Sequence, residues 1–328
     1  MALLDGTDAR ALDQAAALLA AGELVAFPTE TVYGLGARAD DDAAVAKIFA
    51  AKGRPSDHPL IVHVSDAAEA PAFTPAADTP LARRLMDAFW PGPLTLILPR
   101  RPGVAAAAAG AQDSIGLRCP AHPVAHALLQ AAARLGVPGV AGPSANRFGR
   151  ISPTTALHVQ GEFGDALAVL DGGACAVGIE STIVDLSRGV PVLLRPGVLT
   201  PAQIEAACGE PLRARDAQAP RAAGTLEAHY APRAPLRLLD AEALRQALAA
   251  PREPGMALAL YSRSVVPPAG VLHRRMPDAA RAAAFELFAV LRELDALGVA
   301  QIWVEQPPPG PEWDGVRDRL QRAAAAAG

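Results

Sequence analysis

The sequence predicts an α/β fold built on a mixed sheet, and three observations carry that expectation. Short aliphatic runs such as PLIVHV (59–64) and LTLILP (94–99) alternate with helical stretches such as 8–21 and 41–52. Some strand-like runs, for example 94–99 and 114–120, follow one another with no helix between them, which a purely parallel sheet does not permit. Of the 328 residues, 51% are apolar and 20% charged, enough for a buried core, and the length suits about two domains. Aromatics are only 4% while 75 residues are alanine, so much of the apolar total is small helix-forming side chain.

Residues 8–21 (DARALDQAAALLAA) predict a helix with Asp8 as its N-cap, and ELVAFP (23–28) a short strand. Residues 41–52 predict a helix with Val45, Ile48 and Phe49 on one face. PLIVHV is a β-branched strand, 79–89 a helix that stops at Trp90-Pro91-Gly92-Pro93, and LTLILP the next strand. The alanine run 104–109 reads as a loop, SIGLRCP (114–120) as a strand, and 122–135 as a helix. VPGVAGPSAN (137–146) passes from strand to loop; ALAVLDGG (166–173), STIVDLS (181–187) and VPVLLRPG (190–197) are strands, and 201–208 a helix. PLRARDAQAPRAAGTLEAHYAPRAP (211–235) has no period and four prolines, the texture of a linker. Beyond it LRLLD, a helix at 241–250, MALALYS, a helix at 278–297, AQIWVEQ and a helical tail at 316–326 form a second strand–helix pattern. The expected organisation is a domain over 1–210, a linker over 211–233 and a second domain over 234–328.

Composition narrows the function. A net charge of −4 disfavours a general nucleic-acid binder, although a local basic groove is compatible with it. No run of 18 apolar residues exists to span a membrane, and the first residues lack the pattern of a signal peptide. Three cysteines with no CxxC give neither a disulfide framework nor a zinc knuckle, which suits a reducing, cytoplasmic setting. Of the 30 basic residues only Lys47 and Lys52 are lysine, so each lysine stands out against an arginine-rich background.

Six segments could carry chemistry. PTETVYGLGA (28–37) holds Gly34-x-Gly36-x-x-Ala39, a loose dinucleotide fingerprint whose glycines do not directly follow a strand. A plain glycine bend is the competing reading, but Thr29, Glu30, Thr31 and Tyr33 are unusually polar for one and suit a pocket wall. AKGRPSDHPLIVHV (51–64) gathers Lys52, Arg54, His58 and His63. Lys and Arg two apart, pinned by prolines, make a cationic corner suited to a polyphosphate, although a helix C-terminus also favours cations. No Walker A motif exists in the chain. Arg118 falls at a strand end before a proline, where a bidentate arginine could clamp a carboxylate, although arginine is common throughout this chain. GPSANRFGRISPT (142–154) offers Ser144, Asn146 and Ser152 for anion or nucleotide contact, with a plain Ser/Pro turn as the alternative. Ser181, Thr182 and Arg195 fall on or beside neighbouring strands, and AHYAP (228–232) puts a His-Tyr pair in the linker. His58 and His63 are five apart in a turn and no carboxylate pair has ligand spacing, so no metal site is read.

Together PTETVYGLG, KGRP with HPLIVH, WPGPLTLIL, LRCP, GPSAN, SPT, ESTIVD and LRPG resemble, in order, the Sua5/YrdC family of threonylcarbamoyl-AMP synthases over roughly residues 8–205. HYAP and the trailing segment resemble the two-domain Sua5 form, though Ala228 stands where that pattern has a basic residue. The resemblance implies a twisted mixed-sheet, YrdC-like catalytic domain with a concave basic face, and a smaller Rossmann-like α/β C-terminal domain. It implies a reaction of L-threonine, bicarbonate or CO2, and ATP to threonylcarbamoyl-AMP and pyrophosphate. The product would feed tRNA threonylcarbamoyl-transferase proteins, with a weak tRNA or RNA contact of the enzyme itself. Lys52, Arg54 and Arg195 would neutralise the triphosphate with Mg2+, Lys52 and Arg54 being the catalytic pair. His58, Ser114, Ser144, Asn146, Ser152 and Tyr230 would complete the ATP site. Arg118 would hold the threonine carboxylate, and Thr31, His63, the Gly142 backbone and Ser181 would enclose its amine and side chain. The competing expectations are a carbamoyltransferase relative with a YrdC-type domain and a non-catalytic RNA-binding module.

Overall fold

The computed structural model describes residues 3–251 and 256–326. The chain divides into two units: Met1–Phe148 with Ser152–Thr225, and Gly149–Ile151 with Leu226–Gly328.

The first unit is built on an 11-stranded mixed sheet. Its strands are β1 (Leu3–Asp5), β2 (Val25–Phe27), β3 (Gly34–Arg38), β4 (Ile61–His63), β5 (Leu94–Pro99), β6 (Ser114–Arg118), β7 (Val140–Ala141), β8 (Ala168–Asp171), β9 (Thr182–Asp185), β10 (Val192–Arg195) and β11 (Arg213–Ala214), in the spatial order β1-β8-β2-β3-β7-β4-β6-β5-β9-β10-β11. Parallel pairs such as β4–β6 and β5–β9 alternate with antiparallel ones such as β5–β6 and β9–β10. The helices are α1 (Ala9–Ala20), α2 (Asp42–Lys52), α3 (Pro80–Phe89), α4 (Pro123–Arg134), α5 (Ala156–Phe163) and α6 (Pro201–Cys208). The Asp8 carboxylate caps α1 by accepting from the Arg10 N–H, as its position predicts.

Side chains alternate across a strand, so each central strand has two characters. Val62, Leu96, Leu98, Ile115, Leu117 and Val184 join one core with Val45, Ile48 and Phe49 of α2 and Leu81 and Leu85 of α3. The residues between them in sequence, Ile61 and His63 on β4, Thr95 and Ile97 on β5, Ser114, Gly116 and Arg118 on β6, and Ile183 on β9, form the opposite set. A second core joins Ala15 and Leu19 of α1 and Leu128 of α4 to Val25, Phe27 and Leu170.

The expected linker proves to be divided between the units. Residues 211–225 belong to the first because Ala219, Ala222 and Ala223 pack on Ile61, Ile97, Ile183, Val192 and Leu194. Gln112 further exchanges two hydrogen bonds with the Arg221 backbone, at 2.9 and 3.1 Å, and Arg221 pairs with Asp57 at 2.6 Å. Residues 226–233 fall in the second unit.

The second unit has a four-stranded, wholly parallel sheet. Its order is β12 (Leu236–Leu239), β15 (Gln301–Glu305), β13 (Leu258–Ser262), β14 (Leu272–Arg275), with helices α7 (Ala241–Ala249), α8 (Ala280–Ala296) and α9 (Asp314–Ala325). Leu258 and Leu260 pack with Leu244 and Leu248 of α7, while Tyr261, next along β13, bonds Glu286 of α8 at 3.0 Å.

Candidate active site

The registry of β4 and β6 sets His63 directly beside Arg118. Both are buried, on strands that bring their polar side chains to the face opposite the aliphatic core. The Arg118 guanidinium donates from Nε to the Gly92 carbonyl at 3.2 Å and from Nη1 to Thr31 Oγ1 at 2.8 Å. Its Nη2 lies 2.7 Å from Glu30 Oε1. Thr31 also shares a hydrogen bond of 2.8 Å with Thr29, whose hydroxyl is 2.7 Å from the Val32 carbonyl, so the TET turn is locked from within. His63 is held neutral: burial, and then the charge of Arg118, lower its pKa to about 3. Among the described residues its Nδ1 has no aligned hydrogen-bond partner, and it faces the backbone of Gly142, where a Cβ would stand 3.1 Å away. Glycine at 142 therefore permits the close approach of that loop to the ring.

A cationic corner forms at the end of α2. Gly53, with φ +63°, caps the helix in the left-handed region and turns the chain sharply after Lys52. Lys52 is buried and donates to the Ser144 carbonyl at 2.6 Å and to the Asn146 carbonyl. Burial and, less strongly, Arg54 pull its proton affinity well below that of a free lysine, while Glu162 and Glu180 act in the other direction. The GPSAN loop is thus folded around the ammonium, and the Phe148 N–H returns a bond to the Lys52 carbonyl at 2.9 Å. Phe148 then serves as a platform: Arg54 stands 5.8 Å and the His58 ring 5.5 Å from its centroid. Burial and Arg54 both lower the His58 pKa.

A third cluster lies on β5, β9 and β10. Ser181 Oγ and Thr95 Oγ1 are 2.8 Å apart, and Arg195 donates to the Ser181 carbonyl at 2.9 and 3.1 Å and to its hydroxyl at 3.1 Å. Arg195 Nη1 also donates to the Ala223 carbonyl at 2.8 Å, tying residues 219–225 to this cluster. Ser114 opens β6 on the same strand face as Arg118, four residues on. Ser152 is buried and donates its hydroxyl to Glu180 at 2.5 Å.

Thus the structure brings Thr31, His63, Arg118 and Gly142 together, Lys52, Arg54, His58, Ser144 and Asn146 together, and Ser181 with Arg195. Tyr230 belongs to the second unit, where its ring packs on Phe288 and His229 with Arg319 above it at 5.5 Å. Sequence reasoning passed over Thr95, Phe148 and Glu180, and gave Glu30 no partner. Phe148 carried a signal, an aromatic inside a glycine-rich turn of an aromatic-poor chain. The Arg118–Glu30 pair spans 88 positions and left none.

A family profile described as "Telomere recombination" (Sua5, YciO, YrdC) matches residues 17–197, and one described as "Threonylcarbamoyl-AMP synthase, C-terminal domain" matches 199–325. The chain is 37% identical over 327 residues to the threonylcarbamoyl-AMP synthase of Pyrococcus abyssi, covering 94% of this chain and 93% of that one. It is 46% identical over 235 residues to that of Bacillus subtilis, covering 69% of this chain and 66% of the relative, just under two thirds of its length. The solved structure of P. abyssi Sua5 complexed with L-threonine superposes with a TM-score of 0.88 at 35% identity, covering 98% of this chain and 96% of that one. On these matches, and on a site assembled from the motifs themselves, the chain is a member of the Sua5/YciO/YrdC family, in its two-domain Sua5 form.

Proposed function

We propose that this chain is a threonylcarbamoyl-AMP synthase: it converts L-threonine, bicarbonate or CO2, and ATP into threonylcarbamoyl-AMP and pyrophosphate. The observation that carries the reading is the pairing, in one unit, of a buried Arg118–Thr31–His63 cluster with the Lys52–Arg54 corner. One suits an amino-acid carboxylate and the other a polyphosphate. The neutral threonine amine first adds to CO2, giving a carbamate and releasing one proton to solvent, and the carbamate oxygen then attacks the α-phosphorus with pyrophosphate leaving. Two anions must meet, so the principal work is charge neutralisation and alignment.

Arg118 binds the threonine carboxylate, and Thr31, His63, the Gly142 backbone and Ser181 surround its amine and side chain. Burial and Arg118 lower the His63 pKa to about 3, so the ring meets the ligand as a neutral hydrogen-bonding wall. Lys52, Arg54 and Arg195 face the triphosphate, and His58, Ser114, Ser144, Asn146, Ser152 and Tyr230 complete the nucleotide site. Ser152 already donates to Glu180, so toward the nucleotide it offers an acceptor. Among the described residues no group of three or more His, Cys, Asp or Glu is arranged to hold a metal ion. Mg2+ would come with the ATP, whose phosphates are customary partners of this ion, and would add to the charge neutralisation that Lys52, Arg54 and Arg195 supply. Of the expected linker over 211–233, residues 211–225 lie in this unit and would cover the site.

The product passes to tRNA threonylcarbamoyl-transferase proteins, with at most a weak contact of this chain to tRNA, and the work is cytoplasmic. No helix among the described residues is long and apolar enough to cross a membrane. The test is incubation with ATP, threonine and labelled bicarbonate. The expected result is pyrophosphate with a labelled adenylate that requires threonine. An adenylate that forms equally without threonine, or no adenylate, overturns the reading.

A further inference from the structure

We infer that Glu30 is a positioning residue for threonine recognition, acting through Arg118; the inference rests on the threonine site proposed above. The Glu30 and Arg118 side chains are only 10% and 4% exposed, so their charges meet in a poorly hydrated setting, where an unpaired guanidinium would be strongly disfavoured. Glu30 is itself held at several points. Its Oε2 accepts the Ala121 N–H at 3.1 Å, and its carbonyl accepts the Val177 N–H at 2.7 Å. The carboxylate is therefore tied to backbone through Oε2 while Oε1 meets the guanidinium.

The geometry gives the pair a purpose. Arg118 has five N–H bonds. One goes to the Gly92 carbonyl and one to Thr31, while Nη2 stands 2.7 Å from Glu30 Oε1 without the alignment of a hydrogen bond. Among the described residues, Nη1 keeps one N–H in hand, and neither N–H of the buried Nη2 meets an aligned acceptor. A bidentate carboxylate needs one N–H from each of two nitrogens. Glu30 thus holds the plane of the guanidinium by charge and leaves its hydrogen-bonding capacity to the ligand. Gly92 and Thr31 fix two corners of the fork, and Glu30 fixes the third.

The role separates from mere folding because Glu30 touches none of the Lys52 corner's contacts, so its loss should register on threonine alone. We expect Glu30→Gln, which keeps the shape and removes the charge, to raise the threonine KM by about tenfold to a hundredfold. The ATP KM should stay within about twofold. If the Gln variant does not fold, Glu30→Asp keeps the charge but withdraws it by one methylene; it should show the same split in smaller degree, with calorimetric threonine binding weakened in parallel. Arg118→Ala is the reference. Threonine binding that is lost in Arg118→Ala but unchanged in both Glu30 variants overturns the positioning role and leaves the threonine site standing. Equal losses for ATP and threonine also overturn it, because they mark a structural residue. Threonine binding that survives Arg118→Ala overturns the site assignment itself.

Discussion

His63 shows most directly how burial sets chemistry. Its ring lies under the sheet face beside Arg118, and its pKa falls from 6.5 to about 3. Between those values the unfolded chain holds a proton that the folded chain does not. Stability is therefore fully present above pH 6.5 and falls as the pH drops toward 3, by up to about 1.4 kcal/mol per pH unit from this one residue. His58 and His122 are shifted in the same direction, so they add to the acid-side slope. His63→Gln removes its share. Denaturation midpoints at pH 7 and pH 4.5 should lie closer together in the variant than in the natural chain, and identical spacing would mean that the ring is not held neutral. At this scale Lys52 stood out in the sequence as a lysine amid arginines just before a turn. The two carbonyls it bonds, on Ser144 and Asn146, were not legible, because they lie 92 and 94 residues away. Glu30 was visible as a polar residue in a tight turn, but the partner that explains it comes from another strand.

The strands matter through their spacing as much as their side chains. Gly197 follows β10, and a Cβ there would stand 2.5 Å from the Thr182 nitrogen, 2.7 Å from Thr182 Oγ1 and 2.9 Å from the Ser181 carbonyl carbon. Two of those three contacts are backbone, and the Thr182 N–H is committed to the Pro93 carbonyl at 3.0 Å, so the neighbours have little room to yield. Gly197→Ala should cost about 1–3 kcal/mol of stability and should weaken threonine binding, because Ser181 sits where the strain falls. Thermal melting and threonine titration of the variant check both effects, and an unaltered melting temperature would show that β9 can shift freely. The LRPG motif is thus a packing requirement of two strands as well as the source of Arg195. Most strands and helices were legible because their aliphatic residues have the right period and clear punctuation. β3 was not: GLGAR reads as a glycine bend, yet its glycines are there because Val140 and Phe27 pack against the strand, leaving 2.8 and 2.9 Å respectively for a Cβ at Gly36. β14 escaped notice because all four of its residues are exposed, and α5 because only Ala156 and Val159 of its eight residues are buried.

Over the whole molecule, each unit carries its own core, and the division explains what a truncation should do. The sheet, the Lys52 corner and the Arg118 cluster all lie in the first unit, together with residues 219–223, which cover Ile61, Ile97 and Ile183. Tyr230 does not: it adopts a left-handed φ of 62°, a conformation that disfavours a bulky side chain. Phe288, 5.4 Å away, and Arg319 are among the groups that hold it there, and both lie beyond residue 233. A chain ending at 233 keeps the Tyr230 side chain and removes those supports. If Tyr230 serves the nucleotide only when so supported, this truncation and Tyr230→Ala in the full chain should weaken ATP binding by similar factors, up to about tenfold for one neutral hydrogen bond. Threonine affinity should remain within about twofold in both, since Arg118, Thr31 and His63 keep all their contacts. Calorimetry of the three proteins with each substrate decides the matter. ATP affinity equal to that of the full chain in both the truncated protein and Tyr230→Ala would remove Tyr230 and its packing from nucleotide binding. A loss in Tyr230→Ala alone would show that the tyrosine acts without the packing that the second unit supplies.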